Sequence, residues 1–209
     1  MIVIPKITGL STEEAFASLT PQPIACCNWP EQYPYAPQVA FRMYHTGDML
    51  MLRFDVAERH TAAKVTEDNG EVWTDSCVEF FIAPDDKLYY NFETNCNGTM
   101  LLGARKSRDE AEHASANVMS QIKREPTLPQ GKAIELPEGD NRWSLTLSIS
   151  PGALFKHKFS DWSGVKARMN LFKCGDNLPV PHFLSWQPID TPTPDFHRPE
   201  FFADVIFEK

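Results

Sequence analysis

Residues 71–84 read EVWTDSCVEFFIAP. From Cys77 onward the stretch alternates with a period of two. Val78, Phe80 and Ile82 fall on one side, and Cys77, Glu79 and Phe81 on the other. Such alternation marks a β-strand, and its apolar set marks the core face. After Pro84-Asp85-Asp86-Lys87 comes LYYNFETN (88–95), which reads as the returning arm of a hairpin. Folding the hairpin puts Tyr90, Phe92 and Thr94 with the core set. It brings Tyr89, Asn91, Glu93 and Asn95 beside Cys77, Glu79 and Phe81. The turn dipeptide Asn97-Gly98 leads into TMLLGAR (99–105), which adds Leu101, Gly103 and Arg105 to the polar face.

The same period recurs along the chain. VAFRMYH (39–45) and DMLMLRFDV (48–56) flank a Gly-containing turn, and SQIKRE, RWSLTLSI, GVKARMNLFKC and FADVIFE read as further strands. Helix signals are few. STEEAFASL carries a capping box, with Ser11 as cap and Glu14 reaching back. SPGALFKH places Ser150 before Pro151, which suits one helical turn. The segment 106–117 is polar and reads as a loop or a surface helix. The fold class expected is all-β: an antiparallel β-sandwich with one or two short peripheral helices. A single domain spans 1–209, with residues 1–37 forming a helix and a Pro-rich loop packed on it.

With 209 residues, 42% hydrophobic and 23% charged, the chain can bury a core without a metal or disulfide staple. A formal charge of −8 lacks the clustered positive charge of a nucleic-acid partner. It equally disfavours an anionic membrane surface. The five cysteines show no framework spacing and read as free thiols. Pro5 and Lys6 interrupt the only apolar run at the start, so no secretory signal is recognised. The expectation is cytoplasmic, or extracytoplasmic if a signal has been removed.

The polar face holds carboxylates, amides and a guanidinium among aromatic side chains, a set that can fix several hydroxyls at once. A structural network, with Glu79 and Arg105 paired under a loop, is the competing reading. Trp73 and Trp186 tilt the balance toward binding. Both lie in loop-like sequence at sheet ends, where an indole face can stack on the C–H groups of a sugar ring. Trp143 sits in an alternating strand and reads as core. Trp29 and Trp162 read as plugs at the ends of the sandwich.

The stretches VWTDSCVEFFIAP, YYNFETNCNGTML and HFLSWQPIDTPTPDFHRPEFFADVIF resemble family 9 carbohydrate-binding modules and their DOMON-like relatives. They are most similar to the stand-alone family 9-like bacterial proteins. The resemblance runs from about residue 35 to 209 and rests on the patterns W-x-D-S-x-V-E-F-F and P-x-F-H-x-P-E-x-F. It implies non-catalytic binding of a mono- or oligosaccharide, gripped between two tryptophans. Trp73 matches the first tryptophan, Trp186 the second, and Glu79 the ligand-binding glutamate six residues after the first. Asn91, Glu93 and Asn95 are the candidates on the next strand. Family members carry an arginine on that strand; here the first available one is Arg105.

Other chemistries were weighed on the same residues. Glu79 and Glu93 could form a glycosidase pair, which requires a separation of about 5–5.5 or 6.5–9.5 Å. The fold could also serve an interaction protein that has lost its ligand. No Met–His pair marks a haem site. His182 and His197 lack a third metal ligand at recognisable spacing. No catalytic residue, metal ligand or obligatory cofactor is assigned. Structural calcium is conceivable at Glu67, Asp68, Asn69, Glu71 and Asp75, although the EF-hand register is absent.

Overall fold

The structure, a computed structural model, describes residues 1–209. Two sheets dominate, antiparallel throughout except for the β1–β15 pair. In the larger, neighbouring strands run β1 (Ile2–Ile4), β15 (Ala203–Phe207), β13 (Lys166–Cys174), β6 (Cys77–Ala83), β7 (Tyr89–Asn95), β8 (Met100–Arg105) and β9 (Ala111–His113). The short β14 (Phe183–Ser185) pairs with the C-terminal end of β13. The smaller sheet runs β10 (Ile122–Pro126), β12 (Asn141–Ile149), β4 (Leu50–Glu58), β3 (Gln38–His45) and β2 (Gln22–Pro23). A two-stranded ribbon joins β5 (Ala62–Ala63) to β11 (Ile134–Glu135). The protein is a β-sandwich with two short α-helices, α1 (Thr12–Ala17) and α2 (Ala116–Met119).

The alternation read from the sequence sets the layers. Val78, Phe80, Ile82, Tyr90 and Phe92 join a core of 35 buried residues with Phe41, Leu52, Phe54, Trp143 and Leu147 of the facing sheet. Trp143 and Trp162 are both buried there. Removing this apolar area from water, at about 25 cal/mol per Å², is the main stabilising term. The capping box forms as expected. The Ser11 hydroxyl accepts from the Glu14 amide, and Glu14 Oε2 accepts from the Ser11 amide at 2.9 Å. Phe16 then packs edge-on against Tyr44 of β3, with centroids 5.0 Å apart.

The N-terminal segment does more than pack on the outside. β1 runs parallel to β15 in the large sheet, and β2 extends the small one. The polar segment 106–117 is divided between edge strand β9 and the start of α2. No helix is long and apolar enough to cross a membrane.

One polar cluster crosses the core. Lys173 Nζ lies 2.9 Å from Glu58 Oε2, and both side chains are fully buried. Lys173 also meets His182 Nε2 at 2.8 Å and donates to the Cys174 carbonyl at 2.7 Å. Glu58 Oε1 accepts from Trp143 Nε1 at 2.7 Å and from the Thr61 hydroxyl at 3.0 Å. Burial alone would raise the Glu58 pKa. Lys173, together with hydrogen bonds from Trp143 and Ser76, outweighs it and holds the carboxyl below its ordinary value. Burial and the same lysine push His182 down to about 3, so its imidazole is neutral. Removing the lysine would leave a buried, unpaired carboxylate. Lys173→Met is expected to destabilise the fold by about 3–5 kcal/mol, measured by urea unfolding. A loss under ~1 kcal/mol would show that the bridge is not structurally important.

Candidate functional site

Strand β6 is buried along its whole length, on both faces. Its outward face therefore meets a second layer instead of solvent. That layer is a 12-residue apolar cluster containing Phe81, Tyr89, Phe172, Trp29, Phe196 and Phe202. Loops following β2 and β14 fold back over the sheet to supply it. Trp29 Nε1 donates to the Thr191 carbonyl at 2.7 Å, tying these loops together. The cover is incomplete, and a cleft of about 260 Å³ opens where it stops.

The floor of the cleft is the face expected from sequence. Glu79 stands opposite Glu93, Phe81 opposite Asn91, and Cys77 opposite Asn95. On the next strand Glu93 faces Leu101, and Asn91 faces Gly103. Both glutamates line the cleft although each is only 3% exposed. Asn91 Nδ2 donates to Glu93 Oε1 at 2.7 Å, and Arg105 Nε donates to Asn91 Oδ1 at 2.9 Å. Asn91 thus links the guanidinium to the carboxylate, and Arg105 makes no direct ion pair with Glu79. Gly103 makes room for that link: a Cβ there would stand 2.7 Å from Asn91 Oδ1. From β13, the Cys174 thiol donates to Glu79 Oε1 at 3.1 Å.

Trp73 forms one wall. It sits in a 3₁₀ turn, Val72–Thr74, that enters β6. The turn is fastened on two sides. Asp75 accepts from the Lys64 and Val65 amides at 2.9 and 3.0 Å and from Asn95 Nδ2 at 2.9 Å. The Asp176 and Asn177 amides donate to the Trp73 and Thr74 carbonyls. Trp73 is left half-buried beside the cleft. Phe183, Phe196 and His197 supply the other lining. Phe196 stacks on Phe172 with centroids 4.3 Å apart, and Phe183 meets Tyr33 edge-on at 4.7 Å. His197 Nδ1 lies 2.9 Å from the Tyr89 hydroxyl.

Of the residues singled out from sequence, Trp73, Glu79, Glu93 and Arg105 meet in this cleft. Asn91 lies beneath it as the link just described. Asn95 is fully buried and holds the Trp73 turn through Asp75 and the Val65 carbonyl. The structure does not bring Trp186 here. Ser185 pairs with Phe172, and the Trp186 amide donates to the Leu171 carbonyl. Leu171 belongs to the inter-sheet core, so strand parity turns Trp186 inward, opposite to Glu79. Its indole meets Phe41 edge-on at 5.4 Å and lines a separate groove with Ile4 and Met169. The C-terminal motif still reaches the cleft, through Phe196 and His197 instead of the tryptophan. Arg108, Asp176 and Asp195 also line it, and no sequence signal singled them out.

Burial raises the acids. Glu79 is pushed well above the usual carboxylate range by burial and then by Glu93. Glu93 is pushed up to about 7, again by burial first, with Asn91 and Arg105 pulling the other way. Asp176 rises to about 6 from burial. His197 falls to about 3 from burial and the nearby arginines, and is neutral.

Three of the five acidic-loop residues named for calcium, Asp68, Asn69 and Asp75, have their side-chain oxygens engaged by protein groups. Asp68 places both carboxylate oxygens on the Arg124 guanidinium, at 2.6 and 2.9 Å. Both Asp75 oxygens accept from protein amides. Asn69 spends its side chain on the Ala114 carbonyl and the Leu102 amide.

The sequence matches carbohydrate-binding family 9 over residues 11–207, and the chain belongs to that family. It is similar to the crystal structure of a candidate carbohydrate-binding protein from Bacteroides uniformis. Sequence identity is 36%, the TM-score is 0.93, and the match covers 99% of this chain and 98% of that one. Two family 9 modules from Caldicellulosiruptor kristjanssonii share the fold at much lower identity. One, in complex with glucose, is 9% identical with a TM-score of 0.64, over 99% of this chain and 95% of that one. The other, in complex with cellotriose, is 8% identical with a TM-score of 0.61, over 99% and 93%. No curated protein matches the sequence.

The raised carboxyls give a signed pH prediction. A carboxyl whose folded pKa exceeds its unfolded value stabilises the fold at low pH and loses that contribution as pH rises through the folded value. For Glu93 the window runs from the model-compound value of 4.5 to about 7. Glu93→Gln should therefore gain melting temperature relative to wild type as pH rises across that window. Comparing the two proteins cancels the opposing titration of His182 and His197. A difference that stays flat from pH 4 to 8 would contradict the raised value.

Proposed function

We propose that the protein binds carbohydrate without converting it, seating a terminal sugar unit in the cleft beside Trp73. The observation that carries this reading is the cleft itself: an indole wall next to a buried, hydrogen-bonded polar floor in a family 9 fold. The Trp73 face would stack on the C–H face of the ring. Glu79 and Glu93 would exchange hydrogen bonds with hydroxyls, with Arg105 at the rim. In place of a second tryptophan, Phe183 and Phe196 would close the apolar side. The glucose and cellotriose complexes of the C. kristjanssonii modules support a sugar ligand for this fold.

Hydrolysis is the poorer reading of the same carboxylates. Glu79 and Glu93 are directly opposed neighbours on one sheet face. Cross-strand neighbours stand side by side, with Cβ atoms about 4.5–5.5 Å apart. A glycosidase pair must flank the scissile bond. Both acids here lie in the floor, on one side of any ligand resting above them.

Titration calorimetry against glucose and cellotriose tests the reading. Trp73→Ala should weaken binding roughly tenfold or more, ~1.4 kcal/mol. Trp186→Ala should leave affinity within about twofold and lower the melting temperature, because that indole packs in the sandwich. Unchanged affinity in Trp73→Ala would place the site elsewhere. Products released from cellotriose on prolonged incubation would overturn the non-catalytic assignment.

A further inference from the structure

Buried carboxylates in this fold are met in different ways, and Asp75 is satisfied by three N–H donors. Glu58, between the sheets, has Lys173 at 2.9 Å. Glu79 and Glu93, equally deep at 3% exposure, have no cationic side chain at ion-pair distance, and neither does Asp176 beside them. Their protein partners are a neutral thiol and a neutral amide: Cys174 on Glu79, Asn91 on Glu93. The nearest guanidiniums are engaged elsewhere. Arg105 is held by the Asn91 and Arg108 carbonyl oxygens, and Arg108 lies 3.7 Å from Asp195. A desolvated carboxylate is costly without a compensating charge. Between the sheets the chain supplies that charge in direct contact; in the cleft Arg105 and Arg108 act only from a distance.

We propose that in the cleft the ligand supplies the direct contact: the sugar taken by this cleft carries a protonated amino group, which sits over Glu79 and Glu93 beside the Trp73 ring. This inference rests on the carbohydrate-binding reading above and names the ligand class for that same cleft. An ammonium group donates up to three hydrogen bonds, so it can reach both opposed carboxylates at once. The indole face adds a favourable cation–π contact for the same group. The cleft volume of about 260 Å³ suits one ring of an oligosaccharide. A uronic acid would set its own carboxylate beside Glu79, Glu93 and Asp176, with Arg105 and Arg108 only at the edge of the cleft. A neutral sugar would satisfy hydrogen bonds and leave the glutamate pair holding its proton.

The charged surroundings make the proposal testable through protons. Facing the glutamates are Cys174 at the end of β13 and Asp176 just beyond it, Arg105 from β8, Arg108 and Asp109 from the turn between β8 and β9, and Asp195 and His197 from the covering loop after β14. Lys173 lies on the opposite face of β13, paired with Glu58. Burial makes the opposed glutamates retain a proton near neutrality. An arriving ammonium favours the ionised pair and displaces that proton to the buffer. A neutral sugar has no such effect.

The experiment uses cellotriose and the chitosan trisaccharide, which share one β-1,4 backbone and differ at C2 as hydroxyl and ammonium. N,N′,N″-triacetylchitotriose serves as the neutral amide control. Titration calorimetry is run at pH 5.5, where the sugar amines carry their protons before binding and the glutamate pair still holds its own, in two buffers of different ionisation enthalpy. The chitosan trisaccharide is expected to bind at least tenfold tighter than either neutral trimer, with proton release and a marked salt dependence. Glu93→Gln should reduce that preference to within about threefold, while circular dichroism reports an intact fold. If cellotriose binds as tightly as the chitosan trisaccharide, or tighter, the cationic assignment is overturned and carbohydrate binding stands. If none of the three trimers binds, both readings fall.

Discussion

Strand β6 has no solvent face. Every residue from Cys77 to Ala83 is buried, so its alternation separates two interiors instead of an inside and an outside. One is the inter-sheet core that takes Val78, Phe80 and Ile82. The other is the aromatic layer laid over Phe81 by the loops around Trp29 and Phe196. Glu79 occupies the second interior because residue parity leaves it no other. Slipping β6 by one residue would exchange the two sets and drive a carboxylate between the sheets. The hydrophobic pattern therefore fixes the register, and the register fixes the floor of the cleft.

The aromatic layer also accounts for the chemistry of that floor. A glutamate on an ordinary sheet surface would be solvated and ionised at neutral pH. Under Phe196 and His197, beside Trp73, the same side chain is desolvated and holds its proton far more tightly. Asn91 steadies one carboxylate, Gly103 leaves the space for Asn91, and Cys174 donates to the other. The rigid parts of the site come from central strands of the large sheet. The walls come from segments that the strands hold at their ends, such as the Trp73 turn fastened by Asp75 and Asn95. A floor on central strands with walls on anchored turns and loops is a sound arrangement for recognising a polar ring.

Much of this was legible in the sequence, where local period decides structure. The two-residue alternation of β6, β7 and β8, with the turn at Asn97-Gly98, located the polar face and put Glu79 and Glu93 on it, while the pairing of the two came from the structure. The capping box at Ser11 and the Ser150-Pro151 turn were readable for the same reason: their signals lie within a few residues. Trp186 was not readable. Its orientation depends on β14, three residues long and set in Pro-rich sequence, which pairs across to β13. Nothing local signals that pairing, and one residue of parity separates the cleft from the core. Phe183, on the other parity, reaches the cleft instead. Arg108, Asp176 and Asp195 escaped for a related reason. They lie in loops or just past a strand end, where side-chain direction follows from long-range docking and not from a periodic pattern.

The account turns on a sugar resting against Trp73 above the Glu79–Glu93 floor. The most direct measurement is a crystal structure of the protein soaked with cellotriose and, separately, with the chitosan trisaccharide. The account predicts electron density for a terminal ring against the Trp73 indole, with ring substituents within hydrogen-bond distance of both glutamates. Density confined to the groove beside Trp186, or a ring that touches neither Glu79 nor Glu93, would contradict it.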